Sequence, residues 1–170
     1  MKKMMITLFV VFGAFSCALA QDQIPNPLID VEAHLQATGE AMELRAKRRV
    51  SVEQFITMSK EEGTIVLDTR SVEKFAMLHI KGAKHLNFSE FTAATLEALI
   101  PGKGTRILIY CNNNFFGAPV AFPSKCAAGA LNIPTFIALY EYGYKNVYEL
   151  GPAVKVKDTA LDFAGSRVDD

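Results

Sequence analysis

Short apolar runs alternate with amphipathic stretches along most of the chain. Two runs, within residues 64–67 and 106–110, are apolar at nearly every position, which is typical of strands buried on both faces of a sheet. The pattern predicts two weaker strands at 84–88 and 146–150. Apolar residues at helical spacing predict helices at 30–46, 51–63, 71–77, 92–99 and 131–142.

Local signals refine these helices. Gly39 lies in the middle of the first helix and costs about 1 kcal/mol relative to Ala, which predicts a kink or a break there. Ser51 and Gln54 have the spacing of a capping box at the start of the second helix. Pro134 is compatible with the last helix only in its first turn.

The alternation of strands and helices predicts one α/β domain with a central parallel sheet. The expected architecture has three layers, α/β/α, with an extra N-terminal helix. We expect a lead-in and helix at 21–49, the α/β domain at 50–152 and a polar, weakly patterned C-terminal tail at 153–170.

Residues 1–20 have the form of a secretory signal peptide. Lys2 and Lys3 precede an apolar stretch of about a dozen residues and a small-residue cleavage site ending at Ala20. A membrane anchor needs about 20 apolar residues, and lipid attachment at Cys17 is disfavoured by the bulky Phe15. We therefore expect an exported protein, in the periplasm, without a stable membrane anchor after cleavage.

Composition narrows the choice of partners and cofactors. The 18 Lys and Arg residues balance the 18 Asp and Glu residues, so the chain lacks the basic excess of nucleic-acid-binding proteins. The three histidines show no metal-ligand spacing, and we expect neither a metal site nor a cofactor. After cleavage two cysteines remain, Cys111 and Cys126, in a compartment where disulfides persist.

Two polar residues follow the strongest predicted strands. Asp68 ends the first strand and Cys111 ends the second, and ligands of parallel sheets bind beyond these carboxyl ends. Backbone N–H groups and a helix dipole at this position would favour a reactive thiolate. The alternative is an inert buried cysteine that closes a core strand.

Four stretches of the chain together resemble the rhodanese-like domain family, over residues 50–151. They are TIVLDTR at 64–70 with EKF at 73–75, HIKGAKHLN at 79–87, RILIYC at 106–111 and GYKNVYEL at 143–150. The resemblance implies a sulfurtransferase. Such an enzyme takes a sulfane sulfur from a donor such as thiosulfate, holds it as a cysteine persulfide and passes it to cyanide or a thiol.

The resemblance also implies roles for individual residues. Cys111 would be the nucleophile, and Asp68 and Arg70 would be scaffold residues near the site, with Arg70 pairing with an acid or with the loop backbone. The chain departs from the family in the loop, where the fifth residue after the cysteine is Phe116 instead of Arg. The related phosphatases carry Arg at the sixth position, which is Gly117 here.

The loop after Cys111 has three interpretations. Its asparagines could bind the donor while a phenylalanine pair shields the persulfide, or the asparagines could simply satisfy a tight loop with left-handed turns. In the third interpretation Phe115, Phe116 and Phe122 dock a protein or peptide. The predicted substrate-binding residues are Asn112, Asn113, Asn114, Phe115 and Phe116.

Cys126 leaves a further choice open. A disulfide with Cys111 would add about 3 kcal/mol to stability in the chain-entropy model. Cys126 could instead resolve a persulfide or sulfenate on Cys111, or be a buried free thiol at a helix start. The function predicted from sequence is therefore a sulfurtransferase acting on a small sulfur-containing anion or thiol. Its alternative is an inactive binding or redox-sensing module that uses the enlarged loop 111–126.

Overall fold

A computed structural model describes residues 26–168. From Val31 onward the described chain forms one compact unit. The predicted signal peptide at 1–20 lies outside the described residues. In the part of the chain that is described, no helix is long and apolar enough to span a membrane.

The described chain contains nine short strands. In chain order they are β1 (Arg49–Val50), β2 (Ile65–Asp68), β3 (His79–Ile80), β4 (Lys84–His85), β5 (Ile107–Tyr110), β6 (Phe115–Phe116), β7 (Val147–Leu150), β8 (Val154–Lys155) and β9 (Phe163–Ala164). Five of them form a central parallel sheet with the strand order β1-β7-β5-β2-β4, which confirms the predicted fold class. The two strongest predicted strands, β2 and β5, are neighbours and are buried along their whole length.

Helices cover both faces of the sheet. One face packs against α1, α4 and α5, and the other packs against α2, α3, the loop after β5 and the C-terminal residues. Each face therefore has its own apolar core. The helices are α1 (Val31–Ala46), α2 (Val52–Ser59), α3 (Val72–Met77), α4 (Ala93–Leu99) and α5 (Asn132–Glu141).

The helix limits follow the local sequence signals. Ser51 and Gln54 form the predicted capping box, and the Ser71 hydroxyl caps α3. Pro134 lies in the first turn of α5. The break considered at Gly39 does not occur: α1 continues through this residue and packs against α5 through residues such as Ala41.

The predicted strand at 84–88 is shorter than expected. Only Lys84 and His85 pair with β2, and a short 3-10 helix, Phe88–Glu90, follows. The Asn87 side chain accepts a hydrogen bond from the backbone N–H of Ser89, which turns the chain away from the sheet.

The C-terminal tail is more structured than its sequence pattern predicts. Strand β8 pairs with β6, and β9 pairs with β3, so the tail returns to the sheet face opposite α5. Leu161 is buried in the apolar core there, and the partly buried Phe163 packs against it. The described part of the predicted tail, residues 153–168, and helix α1 thus belong to the same compact unit as the sheet.

Candidate active site

Cys111 directly follows the central strand β5. Ile107 and Ile109 of that strand face the core beneath α1, α4 and α5. Cys111 continues the extended backbone, with φ −144° and ψ −174°, so alternation places its side chain on the same face. The residue is only 1% exposed.

Three backbone N–H groups face the Cys111 sulfur and lower the pKa of its thiol. One belongs to Asn113 in the following loop, and two belong to Leu131 and Asn132 at the start of α5. The positive end of the α5 dipole therefore lies at the sulfur. The loop separates the cysteine from its helix by residues 112–131, yet the helix start still reaches the thiol.

The surroundings of Cys111 favour the protonated thiol over the thiolate. Burial is the largest influence and raises the pKa of the thiol, and the Glu149 carboxylate raises it as well. The N–H groups of Asn132, Asn113 and Leu131 lower this pKa but do not offset the burial. The amides therefore stabilise a sulfur anion once it forms, and the free protein does not hold a ready-made thiolate.

Asn114 holds the loop to the sheet with every hydrogen-bonding position of its side chain. Its Oδ1 accepts from the backbone N–H of Cys111 and from Asn132 Nδ2, both at 2.9 Å. Its Nδ2 donates to the backbone oxygens of Leu150 and Pro152 at 2.7 and 3.1 Å. The predicted substrate-binding role is therefore not supported for Asn114, because no side-chain group is left for a ligand.

The other two asparagines differ from Asn114. The Asn113 side chain clamps the backbone of Lys125, donating to its oxygen and accepting from its N–H, each at 2.9 Å. Asn112 is buried, and its Oδ1 has no hydrogen-bond partner. No non-glycine residue of the described chain has a positive φ, so the expected left-handed asparagine turns are absent from residues 26–168.

The phenylalanines of the loop point mostly away from the sulfur. Phe115 and Phe122 pack together with ring centroids 4.5 Å apart, in the core on the sheet face opposite Cys111. A persulfide shield is therefore not supported for Phe115, and a docking surface is not supported for Phe115 or Phe122. Phe116 is 52% exposed and alone of the three presents its ring to solvent.

Cys126 is an exposed free thiol, and Cys111 is a buried one. The disulfide considered from sequence is not formed in this structure, and the exposure of Cys126 contradicts a buried role. Its sulfur packs over Gly129, where an added Cβ would lie 2.9 Å from Sγ. The resolving role of Cys126 stays a prediction.

Asp68 and Arg70 form a buried scaffold beneath the loop. The guanidinium of Arg70 binds the Asp68 carboxylate, with Nη2 2.6 Å from Oδ2, and also donates to the backbone oxygens of Ala121 and Leu78. Tyr110 donates its hydroxyl to Asp68 Oδ2 at 2.6 Å. Arg70 thus pairs with both an acid and the loop backbone, the two partners considered from sequence.

Several groups around the thiol could not be predicted from the sequence. The amides of Leu131 and Asn132 could not be located, because the loop length hides which helix start faces Cys111. Glu149 was also missed, although a Glu within an apolar strand, Val-Tyr-Glu-Leu, is an unusual signal. Glu149 pairs in register with Ile109 and is buried.

A separate cleft of about 450 Å³ lies between the loop after β5 and the C-terminal tail. Most of its lining side chains are apolar, and the charged ones are Lys157, Asp162 and Arg167. The cleft shares no residue with the amides around Cys111 and belongs to the opposite face of the sheet. The apolar lining residues include Leu78, Ala118, Val120, Leu161 and Phe163.

Two solved structures are similar to this chain. The BH2092 protein of Bacillus halodurans has a similar fold, with a TM-score of 0.50 and 19% identity over 78% of this chain and 87% of that one. A rhodanese from E. coli aligns over 61% of this chain and 99% of its own, at 21% identity and a TM-score of 0.40.

One curated relative matches a short stretch. Thiosulfate sulfurtransferase GlpE of Pseudomonas putida (strain GB-1) is 42% identical over 40 residues, which cover 24% of this chain and 36% of that protein. The chain thus matches about a third of the relative's length. The model of the rhodanese-like domain matches residues 51–150, more than half of the chain. The protein therefore belongs to the rhodanese-like domain family.

Proposed function

We propose that this protein is a sulfurtransferase that carries a sulfane sulfur as a persulfide on Cys111. The observation that carries the proposal is the convergence of three backbone N–H groups, from Asn113, Leu131 and Asn132, on the Cys111 sulfur. Donors placed around a sulfur in a buried site stabilise negative charge on it. Membership of the rhodanese-like family and the short match to a thiosulfate sulfurtransferase support the same chemistry.

The reaction balances with two sulfur transfers. The Cys111 thiol loses its proton to solvent, and the thiolate attacks the outer sulfur of a thiosulfate-like donor. The bond between the two sulfurs of the donor breaks, and the rest of the donor leaves as sulfite. The resulting persulfide anion remains among the main-chain donors. An acceptor thiolate or cyanide then attacks the outer sulfur, and Cys111 leaves as a thiolate that is protonated again. Main-chain amides take the place of the arginine that relatives carry at the position of Phe116.

Access to the sulfur requires movement of the residues around it, because Cys111 is almost fully buried. A donor therefore reaches the thiol only when these residues move apart. This ordering also keeps bulk water away from the persulfide.

Persulfide loading tests the proposal. Reduced protein is incubated with thiosulfate or with an alkyl persulfide and digested with trypsin, and the peptide 107–125, which contains Cys111 but not Cys126, is weighed. We expect a gain of one sulfur atom that cyanide removes as thiocyanate. The gain should persist in Cys126→Ser and vanish in Cys111→Ser. Absence of the gain with both donors, in folded protein, would overturn the proposal.

A second candidate function is a binding module that uses the enlarged loop. The apolar cleft beside Gly117–Ala121 favours it, because its volume falls in the range of small-molecule sites. Titration with an apolar anionic dye tests this function. Val120→Asp should weaken dye binding, whereas Val72→Asp, at an exposed valine outside the cleft, should leave it unchanged. Equal binding by both variants would exclude the cleft.

Export is part of the proposal. The signal-like sequence of residues 1–20 supports cleavage after Ala20 and action in the periplasm. The mass of the protein recovered from a periplasmic fraction tests this. Recovery of the uncleaved chain from the cytoplasm would contradict it.

A further inference from the structure

Glu149 is a charged side chain in a layer of the sheet that is otherwise apolar. Its neighbour on β7, Val147, and its register partner on β5, Ile109, both belong to the core beneath α1 and α5. The Glu149 side chain is 4% exposed. A carboxylate in such a layer is costly in free energy unless a partner compensates its charge. Glu149 therefore needs a cationic partner.

The partner comes from the N-terminal helix. Arg45 of α1 donates through Nε to one carboxylate oxygen of Glu149 and through Nη2 to the other, the latter at 2.7 Å. Arg49 of β1 adds a weaker contact, with Nε 3.7 Å from Oε1. Helix α1 precedes residues 51–150, which the family model matches. The pair thus joins an element outside the matched domain to the strand beside the cysteine.

The pair also lies close to the thiol. Ile109 is two residues before Cys111, and the pleat places the side chains of Ile109, Glu149 and Cys111 on one face. The Glu149 carboxylate opposes ionisation of the Cys111 thiol and raises its pKa. The electrostatic effect of Glu149 on the sulfur therefore depends on how far its cationic partners compensate the carboxylate.

The other polar groups that shift the pKa of Cys111 are backbone N–H groups. From α5, the N–H groups of Leu131 and Asn132 face the sulfur, and the loop adds the N–H of Asn113. The second buried ion pair, between Asp68 and Arg70, packs with Tyr110 on the opposite face. The buried charged side chain beside Cys111 on this face is Glu149 from β7, and Arg45 from α1 and Arg49 from β1 contact it.

We propose that Arg45 and Glu149 form a positioning pair for Cys111, through which the N-terminal helix sets how readily this thiol reacts. Arg45 orients the carboxylate and compensates part of its charge. The remaining negative charge disfavours an anion at the resting sulfur. The inference deepens the proposed function, whose nucleophile is Cys111, but it concerns the reactivity of the thiol and can be tested without sulfur transfer.

The pH dependence of alkylation tests the pair. Iodoacetamide labelling of the tryptic peptide 107–125 is followed against pH, and the midpoint for Cys111 is compared between variants. Glu149→Gln should lower the midpoint by about one pH unit, which is about tenfold in rate below it. Arg45→Ala should raise the midpoint, because the carboxylate is then less compensated. Arg45→Lys should restore most of the wild-type value.

A matched control separates the pair from general loosening of α1. Glu141 of α5 contacts His34 of α1, with Oε1 2.6 Å from Nδ1. Glu141→Gln should leave the alkylation midpoint of Cys111 unchanged. If Glu149→Gln does not fold, the comparison of Arg45→Ala with Arg45→Lys decides. An unchanged midpoint in Glu149→Gln, or equal midpoints in the two Arg45 variants, would overturn the inference. Failure of persulfide loading alone would overturn the proposed function and leave this inference intact.

Discussion

At the scale of single residues, neighbouring asparagines carry unequal shares of the loop's stability. Asn114→Ala removes four hydrogen bonds and leaves buried groups of Cys111, Asn132 and Leu150 without a partner, so we expect a loss of about 2 to 3 kcal/mol in the free energy of unfolding. Asn112→Ala removes a carbonyl oxygen that has no partner and should cost less than about 1 kcal/mol. Urea unfolding of both variants measures the difference. Equal losses would contradict the assigned roles.

The raised pKa of Cys111 predicts a pH dependence of stability. The folded state keeps the thiol proton to a higher pH than the unfolded chain does. The corresponding stabilisation is present below the unfolded thiol pKa, about 8.5, and is lost as the pH rises through the folded value. Above about pH 8.5, the free energy of unfolding measured in urea should fall more for the wild type than for Cys111→Ser. Parallel curves for the two proteins would refute the assignment.

At the scale of the elements, two glycines should respond to replacement by alanine in opposite ways. Gly39 lies in the interior of α1, and an added Cβ would meet nothing within 4 Å. Gly39→Ala should therefore raise the free energy of unfolding by about 0.5 to 1 kcal/mol. Gly165 has φ +129°, and an added Cβ would collide with the Met77 carbonyl. Gly165→Ala should destabilise the protein by more than Gly39→Ala stabilises it, and thermal unfolding of both checks the contrast.

At the scale of the whole molecule, the C-terminal tail is part of the core. The ring centroids of Phe163 in β9 and Phe115 are 5.3 Å apart, and the partly buried Phe163 packs against the core that β5 and the following loop share. Phe163→Ala should cost about 3 kcal/mol, and unfolding should stay a single transition. Phe116→Ala, at an exposed ring of the same loop, should cost less than about 1 kcal/mol. A separate early transition in Phe163→Ala would show that the tail is not integrated.

The ends of the strands could be predicted from the sequence, but the contacts of the loop could not. Asp68 is the last residue of β2, and Arg70 and Cys111 follow β2 and β5. The apolar patterns of these strands are continuous, so the positions of the three residues at the carboxyl edge of the sheet could be predicted. The role of Asn114 could not be predicted, because it depends on Leu150, which is distant in sequence. The role of Phe115 could not be predicted either, because it depends on Phe122, which lies in a segment without periodicity. The tail strands were missed for the same reason, since each has only two residues.

The amino-acid sequence by itself determined the α/β alternation, the helix caps and the placement of Cys111 at the end of β5, because these depend on local periodicity and on neighbouring residues. Tertiary structure alone decided which amides reach the sulfur, which face each aromatic ring covers and that Arg45 pairs with Glu149. Those features join residues that are far apart in the chain. Their energies arise only when burial removes water and brings the partners within hydrogen-bond distance.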